Sequence, residues 1–320
     1  MEIGCAPSIE VIVPNWNGIE VLPGCLRSLL RQTFRSLSIT VVDNGSRDGS
    51  PQLVRDAFPM VGLLCLGENR GFCAAVNVAL RRSKSPWCAV VNNDTELDPS
   101  CLEELYEATL RHPHAALFAP KILRYDDPTR IESAGDILRP DACGANRGRD
   151  ETDRGQYDRE EEVFSASAAA ALYRRTLFDR VGFFDERFFV YFSDIDLGFR
   201  AQRFGFACVY VPQARVYHRG KFSGYGGRGW SLKQEFVNST VCQVKNLPLR
   251  SLATHAGPIA RSHLKSLKGL LKEGNARVLV EAEIELARRL PYALAQRMAL
   301  SLRSRGRFDR LARFLPIREA

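Results

Sequence analysis

Several short polar segments follow apolar runs and carry groups able to hold a phosphate, a base or a cation. Asp43 closes the run Leu37–Asp43 and precedes the turn Asn44-Gly45-Ser46. A carboxylate there can accept a hydrogen bond from the imide N–H of uracil or thymine, or it can simply close an Asx turn. Asn92-Asn93-Asp94 follows Trp87–Val91. A carboxylate beside a carbonyl oxygen suits a hard divalent cation that already carries phosphates. The same trio also suits a turn with helix-capping residues. Asp194 and Asp196 lie in an aromatic-rich stretch, Phe183–Asp196. If that stretch is extended, the two acids share one face. Aromatic surroundings and a neighbouring acid both raise a carboxylate's proton affinity, which makes a candidate base. Arg200 and Arg203 follow at helical spacing as salt-bridge partners. His218 precedes a Gly- and aromatic-rich stretch, Gly220–Trp230, that reads as a loop able to close over a ligand.

The elements that must position these groups alternate. Strands are predicted at Ile9–Pro14, Leu37–Asp43, Val61–Leu66 and Trp87–Val91. Helices are predicted at Val21–Gln32, Asp48–Phe58 (capped by Asp48 or Ser50), Phe72–Ser83 and Pro99–His112. Near-continuous apolar strands separated by helices imply βαβ units around a buried, mostly parallel sheet. Ligands bind such sheets at the carboxyl ends of the strands. The polar clusters fall there: Asn15–Gly18, Asp43–Ser46, Glu68–Gly71 and Asn92–Asp94. Val209–Pro212 reads as a further strand, and Arg147–Glu162 as a charged surface loop or a flap over the site. The patterns of a P-loop and of a nucleophile elbow are missing.

Composition narrows the class. With 320 residues, 45% hydrophobic and 26% charged, the chain is neither disordered nor a polytopic membrane protein. Nine scattered cysteines without a C-x-x-C pair read as reduced, buried thiols of a cytosolic protein. Met1–Pro7 lacks the features of a signal peptide. The longest nearly uncharged apolar stretch, around Val163–Tyr173, is well short of the ~20 residues that span a bilayer. The net charge of +8 is uneven: from Lys245 onward there are 16 basic and 6 acidic residues. That tail lacks the interleaved aromatics of a nucleic-acid reader and is expected to bind none. It reads as helices over Arg261–Lys272, Ala276–Leu290 and Ala293–Leu315. Leu264, Leu267, Leu270 and Leu271 form a stripe beside Lys265, Lys268 and Lys272. Such a stripe suits an anionic membrane surface, or a helix docked on its own protein with a solvated basic face.

Together these residues form a pattern. The segments VIVPNWNG (Val11–Gly18), VVDNGSRDGS (Val41–Ser50), ENRGFCAAVN (Glu68–Asn77), VVNNDTEL (Val90–Leu97), FFDERFFVYFSDIDLGFRAQRFGF (Phe183–Phe206) and HRGKFS (His218–Ser223) come in that order. Over about Ser8–Pro248 the chain resembles the glycosyltransferase family 2 enzymes of GT-A fold, in their rhamnosyltransferase-like branch.

The resemblance implies an α/β GT-A domain over residues 1–248, with a basic helical tail over 249–320. It implies that Pro14, Asn17, Asp43, Asn69, Arg70 and Gly71 line the nucleotide of a nucleoside-diphosphate sugar. Asn77, Asn92, Asn93 and Asp196 complete that site. Asp94 would bind a divalent metal, Mn²⁺ or Mg²⁺, and His218 would be a late metal or diphosphate contact. Asp194 would be the general base. Three departures accompany the match. Asn92 replaces the first acid of the D-x-D motif, which leaves fewer charges on the metal. Ser193 replaces the usual Glu before the base, which predicts a lower pKa for Asp194. The Gly usual before the alanines near Ala168 is missing, which bears on the sugar or acceptor pocket. The implied reaction is inverting transfer from a dTDP- or UDP-linked sugar, rhamnose by branch, to a hydroxyl of a glycan or lipid-linked acceptor. It would serve cell-surface polysaccharide synthesis at the cytoplasmic face of a membrane, with peripheral contact. The alternatives are a nucleotidyltransferase, for which Pro14–Gly18 is a poor phosphate loop, and a non-catalytic nucleotide- or nucleic-acid-binding module.

Overall fold

A computed structural model describes residues 8–220, 227–272, 276–304 and 308–315. Its amino-terminal half alternates strand and helix as the apolar pattern predicts: β1 (Ile9–Asn15), α1 (Leu22–Leu30), β2 (Leu37–Asp43), α2 (Ser50–Ala57), β3 (Gly62–Cys65), α3 (Phe72–Arg82), β4 (Trp87–Val91), β5 (Thr95–Leu97) and α4 (Cys101–Arg111). Helix α2 starts after Gly49, at φ 86°, and not at Asp48. Asp48 stays outside as a brace, its carboxylate accepting from the Ser50 and Ile19 N–H groups.

The chain continues through β6 (Ala115–Arg124), β7 (Ile131–Ser133), β8 (Asp136–Leu138), β9 (Gly144–Asn146), β10 (Glu161–Val163), β11 (Ala170–Arg174), α5 (Arg175–Val181), α6 (Ser193–Arg203) and β12 (Ala207–His218). The main sheet runs β10-β12-β6-β11-β4-β1-β2-β3, with β5 on β12 and β7 on β6. Strands β3, β2, β1 and β4 pair in parallel, as do β6 and β12, while β11 runs antiparallel between the two groups. Successive residues face opposite sides, and both sides are buried. Ile12, Val42 and Val90 enter one core cluster, and Val11, Val13, Val41 and Ala89 the other.

The Arg147–Glu162 segment is pinned at the sheet edge, so it is not a free flap. Lys121, 1% exposed, donates to Asp153 at 2.9 Å and Asp158 at 2.6 Å. Arg147 lies over the rings of Tyr157 and Tyr210, and the segment ends in β10 against β12.

The remaining helices are α7 (Gly227–Asn246), α8 (Leu249–Thr254), α9 (Ala256–Lys272), α10 (Ala276–Arg303) and α11 (Asp309–Ala312). The helix expected over Ala276–Leu290 and the first part of that expected over Ala293–Leu315 are one helix, α10, which ends at Arg303; residues 305–307 lie outside the described residues and α11 follows as a separate turn. Pro291, inside α10, removes one helical hydrogen bond, to the carbonyl of Ala287, and both residues are exposed, where water satisfies the freed group. Ala282, Leu286 and Ala293 of α10 join the same buried cluster as Phe188, Phe236 and Val241. The predicted Leu stripe of α9 divides: Leu267 packs inward, while Leu264 and Leu271 are exposed. Of the Gly220–Trp230 loop, residues 221–226 lie outside the described residues, and 227–230 open α7. Eight cysteines are described, all free thiols and seven of them buried.

Candidate functional site

The polar exits of β4, β1, β2 and β3 are joined side chain to side chain. Asn15, 2% exposed, is the hub. Its Oδ1 accepts from Asn93 Nδ2 at 2.8 Å, and its Nδ2 donates to Ser50 Oγ at 2.9 Å and Asp43 Oδ1 at 3.2 Å. Asp43 Oδ2 accepts from the Gly45 and Ser46 N–H groups, so the Asx turn is present. Asn44 Nδ2 donates to Asn69 Oδ1 and the Gly71 carbonyl, and Asn44 Oδ1 accepts from Arg70 N. Asn17, at φ 49°, accepts from Arg47 N. Pro14 is half-buried in register with Val42. Gly18 makes the close approach: a Cβ there would stand 2.2 Å from Asn93 Nδ2 and 2.4 Å from Asn15 Oδ1.

At the end of β4 the chain turns through Asn92, whose carbonyl accepts from Thr95 N and Oγ1. That turn delivers Asp94 to the end of β12, where Asp94 Oδ1 lies 3.1 Å from His218 Nε2. The other ring nitrogen of His218 lies 2.7 Å from Glu132 Oε1 on β7. Burial opposes charge on this imidazole, but the hydrogen bonds and charges of Asp94 and Glu132 prevail and lift its pKa to about 10. Among the described residues, no group of three or more His, Cys, Asp or Glu is placed to hold a metal. An all-protein cage is therefore lacking among the described residues. The Asp94–His218 pair fits an ion that takes its other ligands from phosphates and water. An ion at Nε2 would have to displace the proton that the imidazolium shares with Asp94, and Glu132 would then hold the remaining proton on Nδ1.

Asp194 lies in the first turn of α6. Its Oδ2 accepts from Ala168 N at 2.9 Å and its Oδ1 from Ile195 N at 2.9 Å. Burial raises its pKa above the ordinary carboxylate value despite those two donors. Before it, Phe189, Tyr191 and Phe192 sit at φ 50°, 62° and 64°, a left-handed conformation costly for aromatic residues. Asn238 of α7 holds them there, donating to the Phe188, Val190 and Tyr191 carbonyls. Arg289 of α10 in turn donates to Asn238 Oδ1 at 2.7 Å and to the Arg187 carbonyl.

Two expected site residues lie elsewhere. The segment is helical at Asp196, so Asp196 does not share a face with Asp194. It is fully buried against Arg200 at 2.9 Å, Lys245 at 2.8 Å and Asn246 at 2.8 Å. Burial works against its charge, yet Lys245 and Arg200 hold its pKa down to about 2. Asn77 is also fully buried. Its amide is used up on Phe184 N and O and on Glu186, where it clamps the loop before α6.

The glycosyl transferase family 2 profile matches residues 10–182, more than half of the chain. The chain belongs to glycosyltransferase family 2. It is 34% identical over 215 residues to the N-acetylglucosaminyl-diphospho-decaprenol L-rhamnosyltransferase of Mycobacterium tuberculosis, covering 60% of this chain and 70% of that one. It is 27% identical over 222 residues to the O-antigen biosynthesis protein RfbC of Myxococcus xanthus, covering 66% of this chain and 17% of that one. Solved structures share the fold. GalNAc-T7 with UDP, GalNAc and Mn²⁺ aligns at TM-score 0.60 and 14% identity, over 74% of this chain and 48% of that one. The mannosyltransferase PcManGT of Pyrobaculum calidifontis with GDP-Man and Mn²⁺ aligns at TM-score 0.53 and 19% identity, over 92% and 81%. This glycosyltransferase thus has the GT-A fold and fits the rhamnosyltransferase-like branch.

Sequence reasoning left several residues of this family 2 enzyme unremarked: Asn15 as hub, Glu132 behind His218, Asn238 and Arg289 behind the base loop, and Asp136. Asp136 is 1% exposed, and its Oδ2 accepts from Ser165 Oγ at 2.6 Å. Burial, with the charge of Asp194 added, pushes its pKa up to about 8. The sequence puts Asn15 in a polar strand exit but does not show that it joins Asn93, Ser50 and Asp43. Glu132 and Arg289 carry no local signal.

Proposed function

We propose that this enzyme is an inverting, divalent-metal-dependent transferase that moves a sugar from a nucleoside diphosphate to a hydroxyl of a lipid-linked glycan. The donor is dTDP-rhamnose by branch, with UDP-linked sugars as the second choice. The meeting of Asp94 and His218 at the strand exits carries this reading, because it provides ligands for an ion shared with a diphosphate. The ion, once bound, would stabilise the negative charge of the departing diphosphate, so no second carboxylic acid is required. Pro14, Asn17, Asp43, Asn69, Arg70 and Gly71 line the nucleotide in this reading, with Asn92 and Asn93 beside the diphosphate. Asp194 takes the proton of the acceptor hydroxyl as its oxygen bonds to the anomeric carbon. The bond from that carbon to the diphosphate oxygen breaks, and its electron pair leaves with the diphosphate.

Among the described residues no helix is long and apolar enough to cross a membrane. We place the contact with the bilayer, at its cytoplasmic face, on the tail. Val280 and Ile284, and then Leu294, Met298 and Leu302, each four apart, are exposed on one face of α10, flanked by Arg277, Arg288 and Arg303.

Thermal shift with uridine, thymidine, guanosine and adenosine diphosphates, each with Mn²⁺ or with EDTA, tests the donor site. A ligand at about 100 times its Kd adds about 2.7 kcal/mol. A rise with a uracil or thymine nucleotide that EDTA abolishes is expected. No rise with any nucleotide refutes the donor site and moves the binding-module reading to the front.

A further inference from the structure

The segment Asn69–Gly71 and the loop that leads to Asp194 touch each other. Gly71 runs directly into α3, and the first residues of α3 meet the loop. Phe72 N donates to the Phe189 carbonyl at 2.7 Å, and the Phe72 ring meets the Phe184 ring edge-on at 6.1 Å. The Cys73 thiol meets the side chain of Ser193, the residue before Asp194. Gly71, at φ 84°, leaves the room for this approach. A Cβ there would stand 2.6 Å from Phe189 Cδ2 and 2.8 Å from the Phe189 carbonyl oxygen. The Phe189 ring therefore lies on Gly71, and it also meets Trp230 of α7 edge-on at 5.9 Å.

Phe189 itself sits at φ 50° and ψ −61°, and Val190 N donates to the Phe188 carbonyl across it. That is the rare form of the γ-turn, which is strained for a residue with a side chain. Asn238 of α7 holds the Phe188, Val190 and Tyr191 carbonyls but not that of Phe189, which goes to Phe72 N instead. Three residues on, the Phe192 carbonyl accepts from Asp196 N at 2.9 Å and opens α6, whose second residue is Asp194. The turn thus sets how the chain enters the helix that carries the carboxylate. A strained turn keeps its shape only while its neighbours enforce it. One of those neighbours is Gly71, whose own carbonyl is tied to Asn44 Nδ2 at 3.1 Å.

We propose that Phe189 is a positioning residue for the transfer, fixing the base loop to the donor segment so that a nucleotide bound at Asn69–Gly71 steadies the entry to Asp194. It rests on the reading of those residues as nucleotide lining and of Asp194 as base, and adds the link between them. Phe189 acts through α6 and not on the reacting atoms.

Hydrogen exchange on the full chain tests the link, with uridine or thymidine diphosphate and Mn²⁺ as the probe. In the wild type the probe is expected to slow exchange about ten-fold in peptides covering residues 187–196. Phe189→Gly deletes the ring and accepts the positive φ without strain. In this variant the slowing should fall below two-fold while the nucleotide thermal shift persists. Transfer from dTDP-rhamnose to N-acetylglucosaminyl diphosphate carrying a short alkyl chain gives a second readout. There kcat should fall at least ten-fold in Phe189→Gly, with the donor KM within two-fold of wild type. Should Phe189→Gly not fold, Phe189→Leu carries the test, with the slowing and kcat each expected to fall about three-fold. A lower Tm with wild-type slowing and wild-type kcat would make Phe189 a packing residue only and overturns the proposal. A wild type that shows the thermal shift but no slowing over 187–196 overturns it too. Absence of the thermal shift in the wild type would instead refute the donor site, so the two failures are distinguishable.

Discussion

The N–H of Ala168 donates to the carboxylate of Asp194 at 2.9 Å, and the next carbonyl, of Ala169, accepts from Asn92 N at 2.9 Å. Two consecutive residues thus tie the candidate base to the strand exit that carries Asp94. The spacing between Asp194 and the strand exit of Asp94 is tied through backbone groups. Asp194→Asn keeps the size of the group and removes its basicity. Transfer is expected to fall about 10²–10⁴-fold in kcat, the usual contribution of a general base. The Kd for the nucleoside diphosphate should stay within two-fold. Unchanged kcat in a steady-state transfer assay would remove Asp194 from the role.

Glu132 touches the proposed ion only through His218. Replacing the group behind a ligating histidine usually costs about 10–100-fold in metal affinity. Glu132→Gln is therefore expected to weaken Mn²⁺ binding by that factor in the presence of nucleoside diphosphate, read by titration. Excess Mn²⁺ should restore transfer in this variant. Rescue by the ion separates a tuned ligand from a merely destabilised β7.

Asp136 makes a prediction about pH and stability. Burial, with the Asp194 charge added, pushes its pKa up to about 8 in the folded protein, from the ordinary Asp value of about 4. Between those values the unfolded chain has lost the proton that the folded protein keeps. Stability from this group is full below about pH 4 and is lost as pH rises toward about 8. Asp136→Asn cannot ionise and keeps an oxygen for the Ser165 hydroxyl. Its Tm relative to wild type should rise steadily from pH 4 to pH 8 and then level off. A pH-independent difference would show that Asp136 is ionised throughout.

The parts of this site that could be read in the sequence share one physical origin. Apolar β-branched runs broken by Asn, Asp and Gly reveal parallel strands and their polar ends, which is why Asp43 and Asn92–Asp94 stand at strand ends as expected; the strand expected at Val209–Pro212 stops short of His218, which β12 in fact carries at its end. Asp194 and Asp196 would share a face only on an extended segment, and alternation over so short a stretch looks the same in a strand and in the first turn of a helix, which is what forms. Residues acting across long separations left no trace. Glu132 meets His218 across 86 positions and Arg289 meets Asn238 across 51. Such pairs obey no local period, and only the packing of β7 and α10 reveals them.

Arg289 reaches the base at one remove. It braces Asn238, which holds the strained Phe189–Phe192 turn. Left-handed aromatic residues persist only while their surroundings enforce the conformation. Arg289→Met keeps the apolar stem and deletes the guanidinium. Its kcat should fall about ten-fold while the KM for the donor changes little. Asn238→Ala should do the same, and the double variant should be no worse than the more severe single one, because the two act in series. Additive losses would place Arg289 in a separate role.

The outer face of α10 makes the last prediction. Leu302 is 80% exposed, Met298 64% and Val280 57%, on a helix whose other face is buried on α7. Its 28 residues span about 42 Å at 1.5 Å each. Apolar side chains in that arrangement, bordered by arginines, suit the interface of an anionic bilayer, where burial and charge attraction add. The chain is expected to co-sediment with vesicles containing phosphatidylglycerol and to be released as salt rises. Met298→Asp with Leu302→Asp should abolish sedimentation without altering the nucleotide thermal shift, because neither residue joins the core. Equal sedimentation of wild type and variant would assign the membrane contact to another surface. A concentration-dependent dimer that the same substitutions dissolve would instead assign the seam to a second copy of the chain.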